Sequence, residues 1–119
     1  MSTQDQAPYV AACPECDVDL RTETPNEIVE FYRRHYRVTG HDVEFERAQI
    51  DAAEDVTSDD LKDVIWELQE QYENGVPIGV VAAVMSDHGS SIGETLDEIH
   101  DVRMTGGLYE PQDDYLGAF

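Results

Sequence analysis

The sequence predicts an α+β fold in two parts: a small unit of one helix and a short strand over residues 1–53, then three helices and a β-hairpin over residues 54–119. Three observations predict it. Apolar residues recur at three- and four-residue spacing in four stretches, each opened by a capping residue or a proline. Period-two alternation marks residues 41–46, and the tail from residue 108 has two aromatic-rich stretches around a polar turn. Between the first strand and the second helix, Ala48-Gln49-Ile50-Asp51-Ala52-Ala53-Glu54-Asp55-Val56 is small, polar and acidic, and this stretch divides the chain.

Each element has its own signal. Thr24 is placed as an N-cap, Pro25 as the first helical residue and Glu27 as the capping-box partner. Ile28, Phe31, Tyr32 and His35 then share a face, and Thr39-Gly40 stops the helix, which should run to about Arg37. Val43 and Phe45 alternate with Asp42, Glu44 and Glu46, the pattern of a half-exposed edge strand. In the second part Thr57-Ser58-Asp59-Asp60 offers hydroxyls and carboxylates to a helix N-terminus. Leu61, Val64, Ile65, Leu68 and Tyr72 follow as one stripe that should end at Asn74-Gly75. Pro77 should open the next helix, burying Ile78, Val81, Val84 and Met85; nearly free of charge, this helix belongs at the centre. Ser91-Ile92-Gly93-Glu94 is a capping box for a third, with Ile92, Leu96, Ile99 and Val102 inward and Thr105-Gly106-Gly107 closing it. Residues 108–119 carry two aromatic-rich stretches around a polar turn, a hairpin signal. Three short helices followed by a hairpin is the order of a winged helix.

Length and charge narrow the function. At 119 residues and 13.4 kDa the chain is one small domain or two very small modules, which excludes a large enzyme scaffold. The 27 acids against 7 bases give a formal charge of -20, yet the acids are spread over the chain, with -6 on residues 1–53 and -14 on residues 54–119. The cations are six Arg and one Lys, a balance that resembles proteins of salt-loving archaea. A hydrated, self-repelling surface keeps a protein soluble where salt screens charge over about 3 Å. The acidity therefore reads first as adaptation, ahead of a DNA-mimicking surface or a cation-binding function. No apolar run approaches the roughly 20 residues that span a bilayer, and the polar start MSTQDQAP lacks a signal region, so a cytoplasmic location is expected.

The run Trp66-Glu67-Leu68-Gln69-Glu70-Gln71-Tyr72, then Asn74-Gly75-Val76-Pro77-Ile78, Glu98-Ile99 and Gly107-Leu108-Tyr109-Glu110-Pro111 resembles the C-terminal winged-helix domain of archaeal minichromosome maintenance helicases. The resemblance covers residues 57–119 and implies a docking or regulatory winged helix connected with DNA transactions. Helicase activity is excluded, because the chain has no Gly-x-x-x-x-Gly-Lys-[Ser/Thr] phosphate loop.

Cys13 and Cys16, the only cysteines, form a Cys-Pro-Glu-Cys knuckle. A redox pair would need a preceding strand and a following helix in a βαβ unit, and nothing before Cys13 signals that strand. Zinc requires four tetrahedral ligands, and Cys13-x2-Cys16-x18-His35-x5-His41 could deliver them, resembling a Cys2His2 finger with an extended first loop. Leu20, Ile28 and Phe31 would supply its apolar cluster, in a segment too small to fold well without a staple. The competing reading leaves two reduced thiols at a turn, His35 complementing a helix C-terminus and His41 starting a strand.

Five of the seven cations lie before the linker, and Phe31-Tyr32-Arg33-Arg34-His35-Tyr36-Arg37 interleaves Arg with aromatics. Arg33, Arg34, Arg37 and Tyr36 are thus the candidates for contacting DNA, unless the arginines only pair with neighbouring Glu23, Glu27 and Glu30. The third helix of the second part carries Glu94, Asp97, Glu98 and Asp101 and would repel phosphate. Tyr109, Tyr115 and Phe119 offer the hairpin as a protein-binding surface. No hydrolase, zincin, dinucleotide or EF-hand motif occurs, so no enzyme is expected. The expected function is a non-catalytic DNA-associated or regulatory interaction protein. The rival is a winged-helix adaptor of a replication or transcription assembly that touches neither metal nor nucleic acid.

Overall fold

A computed structural model describes residues 7–49, 58 and 60–119, so most of the expected linker, with Thr57 and Asp59 of the expected cap, lies outside the described residues. The fold is α+β. The N-terminal half contains β1 (Tyr9–Ala12), β2 (Asp19–Thr22), α1 (Pro25–Thr39) and β3 (Glu44–Ala48), its strands forming an antiparallel sheet in the order β2-β1-β3. β3 lies at an edge as its alternation predicts, but starts at Glu44 rather than at His41.

β1 and β2 carry no period-two signal, for a physical reason. β1 is the central strand with Tyr9, Val10 and Ala11 all buried, so it reads as a short apolar run, while Asp-Leu-Arg-Thr in β2 has one half-buried apolar residue. The expectation that no strand precedes Cys13 is corrected by β1. Cys13 nonetheless opens a turn between two antiparallel strands, not a helix after a parallel one, so a thioredoxin-like βαβ unit is still not formed here.

α1 starts at Pro25 as expected, but its cap differs from the predicted box. The Thr24 side chain makes no capping bond. Thr22 instead relays between the two box residues, its Oγ1 accepting from the Thr24 N–H at 3.0 Å and donating to Glu27 Oε2 at 2.7 Å, while the Glu27 N–H donates to the Thr24 carbonyl at 3.0 Å. At the other end Gly40 adopts φ 76°, the left-handed conformation that glycine enters without steric cost, and its N–H donates to Tyr36 O at 2.8 Å.

The C-terminal half contains α2 (Leu61–Gln69), β4 (Val76–Pro77), α3 (Ile78–Asp87), α4 (Ile92–Met104), β5 (Leu108–Gln112) and β6 (Tyr115–Ala118). Asp60 caps α2 by accepting from the Asp63 N–H at 3.3 Å. α2 ends five residues before the expected Asn74-Gly75 stop, and the chain turns back so that Val76-Pro77 pairs with β6. Pro77 is therefore a strand residue and the N-cap of α3, not its first helical residue. Lacking an N–H, it sits where a proline is tolerated, on the edge of the β4-β6-β5 sheet. α3 is buried throughout residues 78–85, the central helix its lack of charge predicts. Ser91 and Glu94 form the predicted capping box of α4, each side chain accepting the other's backbone N–H at 3.0 Å. These bonds from Ser91 hold the Glu94 carboxyl below its usual range.

The two halves share a core. Val29 of α1 is buried with Leu61, Val64, Ile65 and Leu68 of α2 and the apolar residues of α3, while Ile92 of α4 is buried with Tyr9, Ala11, Cys13, Ile28 and Val43. α1 crosses α3 at Gly79, where a side chain would overlap the Pro25 carbonyl. There Asn26 bridges the halves: its Oδ1 accepts from the Gly79 N–H at 2.7 Å and its Nδ2 donates to Asp114 O at 3.2 Å. The Asp114 carbonyl also accepts the Ile78 N–H at 2.8 Å, and its carboxylate pairs with Arg33 at 3.1 Å. Gly79→Ala forces α1 off α3 and should lower the unfolding free energy by about 1–3 kcal/mol or more, measured by urea denaturation. An unchanged midpoint would refute the close approach.

Candidate metal centre

The turn from β1 to β2 brings the two sulfurs together. Cys13 N–H donates to Val18 O at 3.2 Å and Cys16 N–H donates to Cys13 O at 3.3 Å, so the Cys-Pro-Glu-Cys loop folds tightly enough to aim both thiols toward α1. α1 contributes His35 from near its C-terminal end, and the left-handed turn at Gly40 reverses the chain to return His41 beside it, with ring centroids 6.1 Å apart. Helix geometry alone would leave residues 35 and 41 on different faces, about 100° per residue over six residues. The αL cap is what brings them together.

One ligating atom from each of Cys13, Cys16, His35 and His41 lies within 4.8 Å of the others. His41 Nδ1 is 3.4 Å from Cys16 Sγ and 3.8 Å from Cys13 Sγ. Bonds of about 2.0–2.3 Å at tetrahedral angles place ligand atoms roughly 3.4–3.8 Å apart, so these two edges already have the length a bound ion requires. His35 Nε2 provides a second test of fit, being buried with no hydrogen-bond partner. An orphaned buried imidazole nitrogen is costly, and a metal ion would satisfy it. These four residues could hold a metal ion. The reading of His35 as a helix-end cap is not needed, since its ring is turned inward, with Phe31 packed 5.7 Å away.

The electrostatics favour a neutral Cys16 thiol until an ion arrives. The Cys16 thiol is pushed above its usual value by desolvation first, then by its hydrogen bond to Cys13 and by the charges of Cys13, Glu15 and Asp17. A divalent cation among these groups reverses that balance and stabilises the thiolates.

The other predicted site residues are dispersed. Arg34, Tyr36 and Arg37 lie exposed on α1, where Tyr36 stacks on Tyr32 at 5.5 Å. Arg33 is held by Asp114, a partner from the distant hairpin turn and not one of the neighbouring glutamates. Tyr109 and Phe119 are exposed and packed together at 4.9 Å on the hairpin. Tyr115 is half-buried in β6 beside Gly75 and Pro77. Val38, which no sequence pattern singled out, is 79% exposed beside Arg34 and Arg37. No helix among the described residues is long and apolar enough to cross a membrane.

Metal binding must displace the Cys16 proton, so affinity should fall as pH is lowered, by about tenfold per pH unit for each proton released. Competition titrations with a chromophoric chelator between pH 6 and 8 check this; an affinity independent of pH would exclude thiolate ligation.

Residues 10–47, which include all four candidate ligands, match the family model described as HVO_B0008 N-terminal, and residues 66–116 match that described as HVO_B0008 C-terminal domain. No curated protein and no solved structure matches the chain.

Proposed function

We propose that this chain, whose halves match the two parts of the HVO_B0008 family, is a non-catalytic interaction protein in which a structural zinc ion braces the N-terminal sheet and α1 against a winged-helix half. The observation that carries the reading is the convergence of Cys13, Cys16, His35 and His41 within 4.8 Å. Two thiolates and two imidazoles in a tetrahedron suit zinc, and four protein ligands leave no open position for water or substrate. The ion's role is then to hold structure. The winged-helix reading is supported by the element order α2, β4, α3, α4, β5, β6 and by the pairing of β4 and β5 on either side of β6. The likenesses to minichromosome maintenance helicases and to Cys2His2 fingers stand on the sequence residues alone. Of the residues behind the first, Gly75-Val76-Pro77-Ile78 sit at the entry to α3 and Gly107-Leu108-Tyr109-Glu110-Pro111 at the start of and in β5, where they shape the backbone.

Charge placement favours a protein partner. The solvent face of α4 presents Glu94, Asp97, Glu98 and Asp101, which repels phosphate at the position a reading helix would occupy, and Arg33 is already paired. The exposed Tyr109–Phe119 pair gives the hairpin an aromatic contact surface. Zinc analysis of the purified chain should give one equivalent, and chelation should unfold the N-terminal half, read as loss of amide protection in residues 7–49. Absence of zinc under reducing conditions overturns the reading.

A nucleic-acid contact has one specific observation in its favour, the exposure of Arg34, Tyr36 and Arg37 together on α1. It predicts binding that weakens with salt and is lost in Arg34→Ala/Arg37→Ala; binding unchanged by that double substitution would remove it.

A further inference from the structure

Resting on the zinc reading above, we propose that Thr39 and Glu15 are positioning residues that present His41 to the metal through Nδ1. His41 reaches the site from outside α1, on a four-residue connection between the helix and β3, so neither helix nor sheet fixes its ring. Two contacts do so instead. Thr39 Oγ1 donates to the His35 carbonyl at 2.8 Å and accepts from the His41 N–H at 3.1 Å. One hydroxyl therefore joins the backbones of the two imidazole ligands across the αL turn at Gly40 and sets the distance between them.

Glu15 acts on the ring. His41 Nδ1 faces both sulfurs, while Nε2 lies 3.7 Å from Glu15 Oε2, in the loop that carries the two cysteines. A neutral imidazole bears one proton, and an Nδ1 that gives its lone pair to a metal must leave that proton on Nε2. A carboxylate on the Nε2 side favours that tautomer and orients the ring, the arrangement common among metal-bound histidines. The knuckle thus supplies two ligands and the outer partner of a third. Loss of such outer partners commonly weakens metal binding by about 10–100-fold.

The test uses the full chain, zinc competition titrations, and the absorption spectrum of the cobalt(II) form as a reporter of ligand geometry. Thr39→Val keeps the side-chain shape, removes both hydrogen bonds, and should weaken zinc by about 10–100-fold with an altered cobalt spectrum, while Thr39→Ser should restore both. Glu15→Leu, at an exposed turn position where folding is not in question, should weaken zinc by about tenfold. Wild-type affinity and an unchanged cobalt spectrum in Thr39→Val and Glu15→Leu would overturn the proposal. So would a Thr39→Val that only lowers the stability of the metal-free chain, which would make Thr39 a helix-end residue and nothing more. If the wild-type chain takes up neither zinc nor cobalt, the zinc reading fails and this inference fails with it, an outcome distinct from the variants behaving like wild type.

Discussion

The close crossing of α1 over α3 at Gly79 is the contact on which the rest of the molecule depends. Because residue 79 has no side chain, the first turn of α1 lies directly on the most buried helix, and Asn26 can satisfy polar groups from both α3 and the hairpin turn. Buried backbone donors and acceptors need partners, and here an amide side chain with two donors and an acceptor serves surfaces 53 and 88 residues away. α1 is thereby fixed at its N-terminal end by the C-terminal half. Its far end carries His35, so the position of the candidate metal centre follows from a helix crossing at the other end of the same rod.

The candidate metal centre would complement that anchor. The N-terminal sheet has three short strands, and its apolar cluster is completed from outside by Ile92 and partly by Leu96 of α4. Such a sheet buries little surface by itself, and a four-ligand ion closing the β1–β2 turn onto the end of α1 would compensate for the small core. The unit is finger-like in its ligands but not self-contained, because it shares both core and hydrogen bonds with the second half.

Charge gives the two faces of the molecule different capacities. The outer side of α4 is acidic over most of its length, whereas exposed Arg34 and Arg37 flank the end of α1 that carries the candidate ligand His35, and aromatic rings cover part of the hairpin. In a chain of net charge -20, local exceptions to the acidity are more informative than the total. The α1 end is such an exception, while the hairpin, itself acidic through Glu110, Asp113 and Asp114, stands out by its aromatic rings; these two places carry the two interaction readings.

By itself the sequence determined what short-range physics governs. The 3.6-residue stripes, the Ser91–Glu94 box, the glycine stop at Gly40 and the hairpin turn placed the four helices and the last two strands of the described residues, because each signal is written within a few residues. It also named the four candidate ligands, since cysteine and histidine are rare here and stand out by type. Only the tertiary structure decided where long-range contacts rule. β1 lacks alternation because it is buried between two neighbours, β2 depends on pairing with β1, and Pro77 became a strand residue because β6 lies beside it. The approach of His35 and His41, the capture of Arg33 by Asp114 and the shared core come from chain reversal and packing between residues far apart, which no local pattern records.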